Sequence, residues 1–377
     1  MFQFKNKVIL ILSPEGWGKN QLSKHLYAKE LSKHNTVYFL HTTPHPQQQN
    51  KVKTTLIENN ITLIHLNKVA RGIFKLPAFA VDFQNKLLIN SILKSINNPI
   101  DVVWSFDQSK FQNLKQFKAT IAIFHPVDFI KKARPFLPRI ANSADVVFSV
   151  SEKILEKINT TTPKHFINHG LDEIFITPQE ESNAPEFIKF DKINVGYVGN
   201  LTMKLIDWDN LLKTVEENNQ LNFVFIGPYQ KSNLGNNGNN SEINKLLQLK
   251  NTTLTGSLTK KELVKSLPYF DLFWLCYNHK KYPIEVSNSH KILEYLSTGK
   301  VVISNQVSSY SNSSLLKMVN NNNKLSSTIK EVAGKLSFYN TTIKQEKRTF
   351  FAKSNSYSNH IKKIESIIIA TNPFSIL

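Results

Sequence analysis

Unbroken blocks of apolar residues alternate along the chain with segments in which apolar residues recur every three or four positions. The blocks predict buried strands, and the spaced segments predict helices with one apolar face. Strands that are apolar on both faces must be covered on both sides, so the alternation predicts an α/β architecture with parallel sheets. In the first half, the predicted strands are Val8–Leu12, Thr36–Leu40, Thr62–Leu66, Val102–Ser105, Thr120–Phe124, Val146–Val150 and His165–Ile167. The predicted helices there are Gln21–Lys33, Phe83–Ile96 and Glu152–Ile158.

The same alternation starts again after a polar, proline-containing segment that follows Asp172. The strands predicted in the second half are Ile193–Val198, Phe223–Ile226, Thr252–Leu254, Asp271–Leu275 and Val301–Ser304. The helices are Trp208–Asn218, Glu242–Leu249, Lys260–Leu267 and His290–Leu296. We therefore predict two Rossmann-like domains that face each other across a cleft, with residues 1–178 as the first domain, 179–192 as the linker and 193–350 as the second domain. Residues 351–377 are predicted to form a C-terminal helix that packs back on the first domain.

Composition narrows the class of protein. With 377 residues, 41% of them hydrophobic, the chain is long enough to bury two cores. The single cysteine, Cys276, excludes a disulfide framework and a cysteine-rich metal site. The formal net charge of +19 calls for an anionic partner: nucleic acid, an anionic membrane surface or a phosphorylated substrate.

Neither a secretory signal nor a membrane span is predicted from the apolar runs. The first of them, Val8 to Leu12, is too short for a signal sequence. Other runs also stay well below the roughly 20 apolar residues of a membrane span. We expect a cytoplasmic protein that is soluble or peripheral at the inner face of the cell membrane.

Ligands of doubly wound sheets bind beyond the carboxyl ends of the strands, so the loops at those ends are candidate sites. In the second half, Gly199 and Asn200 follow the first strand and Lys204 comes soon after, while Gly227 and Pro228 follow the next strand. Glycine lets a backbone approach a phosphate, and a lysine can neutralise it. These loops predict a phosphate-binding edge.

Three loops of the first half carry further candidates. Gly16, Trp17 and Gly18 are suited to lining an acceptor site, although a packed turn explains them equally well. His125 and Asp128 follow a strand and can orient a substrate hydroxyl or move a proton, unless His125 is structural. The turn with His169, Gly170 and Asp172 either approaches a ligand or shapes the hinge.

The segment from Ser287 to Asn305 is the most informative part of the chain. It predicts a polar loop, a helix that starts near Ser289, His290 and Lys291, a glycine stop and a buried strand. Backbone N–H groups at a helix start attract a diphosphate, and Glu294, one turn on, can accept hydrogen bonds from two ribose hydroxyls. A solvated glutamate in an ordinary helix is the alternative.

These motifs resemble those of retaining GT-B glycosyltransferases of family 4, also called group 1, of the kind that assemble cell-surface polysaccharides. Residues 291–304, KILEYLSTGKVVIS, resemble the family's KLxEYLAxGKPVVS-like signature. The turn at residues 169–172 resembles an NGVD-like turn, and residues 197–201 resemble a YxGxL motif. Further similarity lies at residues 225–228, 254–258 and 267–271. The resemblance covers most of the second half, whereas in the first half only the αβ order and the HGLD turn agree.

The resemblance implies a hexosyltransferase that moves a sugar from a nucleoside-diphosphate sugar to a hydroxyl of a lipid-linked or polysaccharide acceptor, with retention. It implies that Glu294 binds the ribose, that residues 289–291 bind the diphosphate, that the first domain holds the acceptor, and that no metal or other cofactor is needed. Anionic membrane is a further expected partner, and nucleic acid is not.

The chain departs from the family pattern at three positions, one of which is the usual downstream lysine, displaced to Lys204. Val286 stands where an acidic residue is common, with Glu285 beside it, and Asn200 stands where an arginine is common. These departures leave open a protein that binds nucleotide sugars without turnover. A basic nucleic-acid-binding protein is a third hypothesis, because it would explain the net charge. An epimerase of the same two-domain form is a fourth, since it would convert the sugar nucleotide with no second substrate.

Overall fold

The computed structural model describes residues 2–18, 21–42, 52–58, 60–66, 75–180, 183–230 and 240–371. The chain forms two compact units, which we call the N-terminal unit (Met1–Asn168 with Tyr357–Leu377) and the C-terminal unit (His169–Ser356). Residues 169–178 and the predicted linker thus belong to the C-terminal unit. The backbone N–H of Leu171 donates to the carbonyl of Asn355 at 2.8 Å, which ties the turn after residue 168 to the end of that unit.

The N-terminal unit has an eight-stranded sheet in the order β3-β4-β2-β1-β5-β6-β7-β8. Its strands are β1 (Val8–Ser13), β2 (Thr36–His41), β3 (Val52–Glu58), β4 (Ile61–Leu66), β5 (Val102–Ser105), β6 (Ile121–Phe124), β7 (Val146–Ser149) and β8 (Lys164–Phe166). All neighbouring pairs are parallel except β3 with β4. The central strands β5, β6 and β7 bury both of their faces, as their unbroken apolar sequences predict, whereas the edge strand β8 is partly exposed.

Helices cover both faces of this sheet. They are α1 (Ser23–Ser32), α2 (Ala78–Ile96), α3 (Leu137–Asn142), α4 (Glu152–Leu155) and, from the end of the chain, α12 (Tyr357–Thr371). Side chains of α1 and α12 share one core with Val37 and Phe39 of β2. Tyr38 points to the opposite face because side chains alternate along a strand, and its hydroxyl donates to the Ile96 carbonyl of α2 at 3.3 Å. The sheet therefore lies between α1 and α12 on one face and α2 on the other.

The C-terminal unit has a six-stranded parallel sheet in the order β11-β10-β9-β12-β13-β14. Its strands are β9 (Asn194–Val198), β10 (Asn222–Ile226), β11 (Thr252–Gly256), β12 (Leu272–Leu275), β13 (Val301–Asn305) and β14 (Lys317–Val319). Its helices are α5 (Trp208–Glu217), α6 (Asn240–Gln248), α7 (Lys260–Ser266), α8 (His290–Leu296), α9 (Leu325–Ala333), α10 (Leu336–Tyr339) and α11 (Thr342–Ser354).

The structure differs from the predicted elements at several places. Strand β14 and helices α3, α9, α10 and most of α11 were not predicted. The predicted helix Glu152–Ile158 is observed only over Glu152–Leu155. Strand β3 was not predicted, because it is an edge strand whose polar residues and partly exposed side chains give no apolar block. Helix α2 starts at Ala78, five residues before the predicted start at Phe83, with Pro77 as its N-cap. The predicted C-terminal helix 351–377 corresponds to the end of α11 and all of α12, with residues 372–377 lying outside the described residues. Of these two helices, only α12 belongs to the N-terminal unit. In the described ranges, helices are too short or too polar to cross a membrane.

Candidate functional site

Two glycine loops cross at the carboxyl end of the C-terminal sheet. Gly227, after β10, has φ +143°, and a Cβ atom there would lie 2.0 Å from the carbonyl oxygen of Gly199. The N–H of Gly199 donates to the Ile226 carbonyl at 2.8 Å, and the N–H of Leu201 donates to the Pro228 carbonyl at 2.9 Å. Only glycine at position 227 permits this backbone contact. The predicted residues Gly199, Gly227 and Pro228 therefore lie together.

Asn200 and Lys204 lie on the exposed surface of the same loop. The side-chain oxygen of Asn200 accepts hydrogen bonds from the backbone N–H and the hydroxyl of Thr202, both at 2.8 Å. Lys204 extends over the ring of Tyr282, with its Nζ 5.8 Å from the ring centroid. Asn200 thus stabilises its own turn, whereas the Lys204 ammonium stays at the surface, where an anion can reach it.

Helix α8 carries the predicted ribose ligand, Glu294. Its carboxylate is 14% exposed, with Oε2 3.3 Å from the Lys291 Nζ and Oε1 3.9 Å from the His290 Nε2. Ser289 is the N-cap residue, but its side chain makes no capping hydrogen bond to the backbone of α8. Desolvation and the charges of Lys291 and Lys260 lower the pKa of the His290 imidazole, so His290 is neutral near pH 7. The start of the helix thus presents backbone N–H groups, one ammonium, one neutral imidazole and, a turn further on, an oriented carboxylate.

Tyr295, the residue after Glu294, fixes α8 to the glycine loops. Its hydroxyl accepts from the N–H of Val198 at 2.7 Å and lies 3.2 Å from the carbonyl of the same residue. Its ring stacks on Phe273 with 4.5 Å between centroids. Burial raises the pKa of the Tyr295 hydroxyl, so it stays protonated. Because Val198 directly precedes Gly199, Tyr295 holds Glu294 and the Gly199 loop in fixed relation.

The turn with His169, Gly170 and Asp172 approaches the start of α8. The rings of His169 and His290 meet edge to face, with 5.9 Å between centroids. The Asp172 carboxylate accepts from the N–H of Ile174 at 3.3 Å and pairs with the Lys260 Nζ at 2.5 Å. Asp172 therefore shapes its own turn and binds α7, and His169 is the residue of this turn that contacts the candidate site.

Two residues of this region were missed from the sequence, Tyr295 and Lys260. Tyr295 lies within the quoted signature, and its apolar neighbours suggest only packing. Lys260 begins α7, after the strand β11, and its pairing with Asp172 joins positions 88 residues apart. Its position just beyond the carboxyl end of a strand is the sequence signal that could have identified Lys260.

In the N-terminal unit, His125 is a core residue. Its side chain is fully buried, and the Trp104 Nε1–H donates to its Nδ1 at 3.3 Å. The ring also stacks on Phe106, with 5.2 Å between centroids. This environment matches the structural alternative for His125 and gives its ring no exposed atom. A catalytic role of His125 stays a prediction that its burial does not favour.

Asp128 lies near the loop that contains Gly16, Trp17 and Gly18. Desolvation raises the pKa of the Asp128 carboxyl, and the charges of Lys24, which lowers this pKa, and Glu15, which raises it, both act on the group. Lys24, which is buried, forms an ion pair with Glu15. The predicted catalytic carboxylate is thus influenced by the charge of Glu15, the residue that precedes the predicted acceptor loop.

Within that loop, Trp17 is packed and Gly18 is open. The Trp17 ring meets Phe39 edge-on at 4.9 Å between centroids and also contacts the ring of His25. The His25 Nε2 lies 3.1 Å from the carbonyl oxygen of Gly16, which fixes the start of the loop. Among the residues that the structure describes, none has an atom within 4 Å of where a Cβ atom at Gly18 would lie. The packed-turn alternative therefore describes Trp17, and Gly18 is the member of the loop with space for a ligand.

Over the described residues, no group of three or more histidine, cysteine, aspartate or glutamate side chains is placed to hold a metal ion. The expectation that no metal is needed stays a prediction.

Comparisons with known proteins show the fold. No family model and no curated protein matches the chain. Among solved structures, sucrose-phosphate synthase from Thermosynechococcus elongatus is similar, with 12% identity, a TM-score of 0.72 and coverage of 96% of this chain and 98% of that one. The Anabaena protein HepE, in complex with UDP and glucose, has 12% identity, a TM-score of 0.66 and coverage of 97% and 100%. A glycosyltransferase from Rickettsia africae has 14% identity, a TM-score of 0.67 and coverage of 97% and 98%. The chain therefore has the GT-B fold, as the sequence predicts.

Proposed function

We propose that the protein is a hexosyltransferase-type glycosyltransferase that uses a nucleoside-diphosphate sugar as its donor. One observation carries the proposal: Lys291 lies at the start of α8, Glu294 lies one turn further on within reach of it, and Tyr295 fixes the helix to the crossing of the Gly199 and Gly227 loops. Structures of similar fold support it, since the Anabaena protein HepE has been crystallised with UDP-glucose. The site offers a carboxylate that can bind the ribose diol of a nucleotide sugar and basic groups that can bind its diphosphate.

Each part of the donor has a proposed partner in the C-terminal unit. Glu294 accepts hydrogen bonds from the ribose hydroxyls, and its contact with Lys291 holds the carboxylate in position before the donor arrives. Lys291, the backbone at residues 289–290 and Lys204 bind the diphosphate. Gly199 and Gly227 let the donor approach the backbone. The positive charge for the leaving diphosphate comes from these groups, without a metal ion.

The proposed reaction retains the configuration of the sugar. The bond between the anomeric carbon and the diphosphate oxygen breaks, and the acceptor oxygen bonds to the same face of that carbon. The proton of the acceptor hydroxyl passes to the departing diphosphate oxygen. Positioning and charge stabilisation supply most of the rate enhancement. Asp128 is the better placed of the two predicted catalytic residues, and His125 acts through packing.

The acceptor in this proposal is a hydroxyl of a lipid-linked sugar or a polysaccharide. The proposed acceptor side consists of Asp128, Gly16 and Gly18. The proposed donor-side turn contains His169, and its shape is set by Gly170 and Asp172. We place the protein in the cytoplasm, peripheral to the inner face of the cell membrane. The net charge of +19 supports an anionic surface as its partner.

A second candidate is a protein that binds a nucleotide sugar without turnover. The side chain of Asn200, which stands at the position of a common arginine, is engaged by Thr202 rather than directed at a ligand. One cation of the family pattern is therefore absent. Donor binding with no release of diphosphate, in the presence or absence of acceptors, would favour this candidate.

Donor binding is tested first by thermal unfolding of the full chain with UDP, GDP, ADP, dTDP and their hexose forms. A ligand that binds only the folded state raises the melting temperature by mass action. We expect one nucleotide family to stabilise the wild type selectively. The variant Glu294→Ala should bind it at least about thirtyfold more weakly, because a hydrogen-bonded charge is lost at a partly buried site.

The matched control is Glu217→Ala, at an exposed position of α5 where the glutamate contacts only Lys213 at 3.9 Å among the ion pairs of the described residues. This variant should respond to the nucleotide as the wild type does. If the nucleotide raises the melting temperature of Glu294→Ala as much as that of the wild type, Glu294 does not bind the nucleotide. Absence of stabilisation by every nucleotide would contradict the proposed function.

A further inference from the structure

Helix α2 exposes an apolar stripe. Phe79, Phe83 and Leu87 are 76%, 65% and 55% exposed. They are spaced four residues apart, so they lie along one face of the helix. The opposite face, which includes Leu88 and Ile92, is buried against the sheet. A surface helix of a soluble protein has polar residues where α2 has this stripe.

Two neighbouring leucines extend the apolar surface. Leu76, just before α2, is 41% exposed, and Leu56 of strand β3 is 71% exposed. Leu56 pairs with Thr62 in the antiparallel register, whereas the residues of β4 that join the core of α1 and α12 are Ile61 and Leu63. Side chains alternate between faces, so Leu56 lies on the face that α2 covers. Contiguous exposed apolar surface of this kind marks an interaction site.

The charges around the stripe are basic. Lys75, Lys86 and Lys94 are exposed, and at 100° per residue Lys86 and Lys94 lie on the same side of α2 as Phe79 and Phe83. Asp82 is the one acidic residue in the sequence of α2, and it forms an ion pair with Arg139 of α3. The stripe therefore lies in a surface of net positive charge.

Charge is divided unequally between the two units. The N-terminal unit has 25 lysines and arginines against 11 aspartates and glutamates, and the C-terminal unit has 22 against 17. The unit that carries α2 therefore holds +14 of the net charge of +19. An anionic surface would be attracted mainly to the N-terminal unit.

We propose that the exposed face of α2 binds an anionic phospholipid bilayer. Phe79, Phe83 and Leu87 enter the boundary between headgroups and acyl chains, and the lysines contact lipid phosphates. Such an arrangement of an apolar stripe with flanking lysines is typical of helices that lie in the membrane interface. Nucleic acid fits less well, because three large apolar side chains would face a polar phosphate backbone. The inference does not depend on the proposed transferase activity.

The test is flotation of the full chain with vesicles of phosphatidylcholine alone or with added phosphatidylglycerol, at low and high salt. Wild-type protein should float with the anionic vesicles and remain behind with the neutral ones. The stripe variant, Phe79→Ser with Phe83→Ser and Leu87→Ser, should lose binding at both salt concentrations. The lysine variant, Lys75→Gln with Lys86→Gln and Lys94→Gln, should bind anionic vesicles about fivefold more weakly for each lysine removed.

The matched control is Phe190→Ser with Phe338→Ser and Phe350→Ser, three phenylalanines of the C-terminal unit that are 84%, 61% and 75% exposed. This variant should float like the wild type. Circular dichroism checks that every variant is folded. Failure of the wild type to bind anionic vesicles would overturn the proposal, as would equal binding by the stripe variant. A wild-type dimer that becomes monomeric in the stripe variant, without vesicle binding, would show that a second copy covers α2.

Discussion

The carboxyl ends of the two sheets use their polar residues in different ways. In the C-terminal unit, Glu294, Lys291 and His290 meet at a partly exposed place, with 14%, 19% and 54% of their side chains exposed, and the buried Tyr295 anchors their helix. In the N-terminal unit, the histidines at the strand ends are buried: His125 is wholly inside, and His41 is 3% exposed. Polar residues at a strand end therefore indicate a ligand site only when the local packing leaves them at the surface. Variants at these positions distinguish residues that bind a ligand from residues that stabilise the fold by packing.

The largest effect is expected for Gly227→Ala. A Cβ atom at φ +143° and 2.0 Å from the Gly199 carbonyl oxygen forces the two loops apart. We expect a loss of about 4 kcal/mol or more in the free energy of unfolding, together with loss of nucleotide binding. Urea unfolding measures the loss.

Gly334→Ala is the control for that prediction. Gly334 follows α9 with φ −69°, and its nearest neighbour to a new Cβ atom would be 3.5 Å away. This variant should be neutral or slightly stabilising, because alanine restricts the unfolded chain. An equal effect of the two substitutions would refute the argument from the loop crossing.

His125→Ala and His290→Ala compare a buried with an exposed histidine. Removing the His125 ring from its contacts with Trp104 and Phe106 should cost about 3 kcal/mol in unfolding free energy. His290 has a side chain that is 54% exposed, so its removal should cost less than about 0.5 kcal/mol but should weaken nucleotide binding. Urea unfolding and nucleotide titration of both variants test the pair. A stable His125→Ala protein with intact binding but no turnover would restore the catalytic interpretation of His125.

The N-terminal unit should lose stability in mild acid because of His41. Burial and the neighbouring His65 lower the pKa of His41 from 6.5 to about 4. Between these values the unfolded chain binds a proton that the folded unit does not, so stability falls as the pH falls. The loss is at most about 3 kcal/mol for this group and is complete near pH 4.

Hydrogen exchange of peptides from β1 and β2, followed from pH 7 to pH 4, measures this loss in the N-terminal unit alone. His41→Gln should flatten the pH dependence, since glutamine has no proton to gain. A variant that keeps the full acid sensitivity of the wild type would assign the effect to other groups.

The smallest effect is expected for Lys291→Met. The methionine keeps the length of the side chain and removes the ammonium that lies 3.3 Å from Glu294. We expect nucleotide diphosphates to bind about tenfold more weakly, with little change in stability. Titration calorimetry with the preferred nucleotide tests it, and the corresponding nucleoside should bind both proteins equally. Equal weakening for the nucleoside would place Lys291 away from the diphosphate.

The fold was largely predictable because buried parallel strands have a strong sequence pattern. Val102–Ser105 and His290–Leu296 were predicted with the observed bounds. Strand β3 was not, since an edge strand with exposed polar residues lacks that pattern. The start of α2 was placed too late because the usual polar N-cap residue is missing: Pro77 stands at that position and makes no side-chain capping hydrogen bond.

Contacts between residues that are far apart in the chain could not be predicted from the sequence. Arg348 is buried and donates to the carbonyl of Gly299 at 3.0 Å and to the carbonyl of Tyr339 at 2.9 Å. Burial lowers the pKa of its guanidinium to about 10. Nothing in its local sequence distinguishes Arg348 from a surface arginine. At the candidate site, the residues of the signature were found, whereas the burial of His125 depends on the packing of three separate strands.

The central claim is best tested by proton NMR of the full chain with the nucleotide sugar that stabilises it most, without an acceptor. Water can replace the acceptor slowly, so the released sugar reports the stereochemistry of the reaction. We predict that the anomer with the donor's configuration forms first and that Glu294→Ala slows its release. Release of the opposite anomer first, or equal rates for the two proteins, would contradict the proposed retaining transfer at this site.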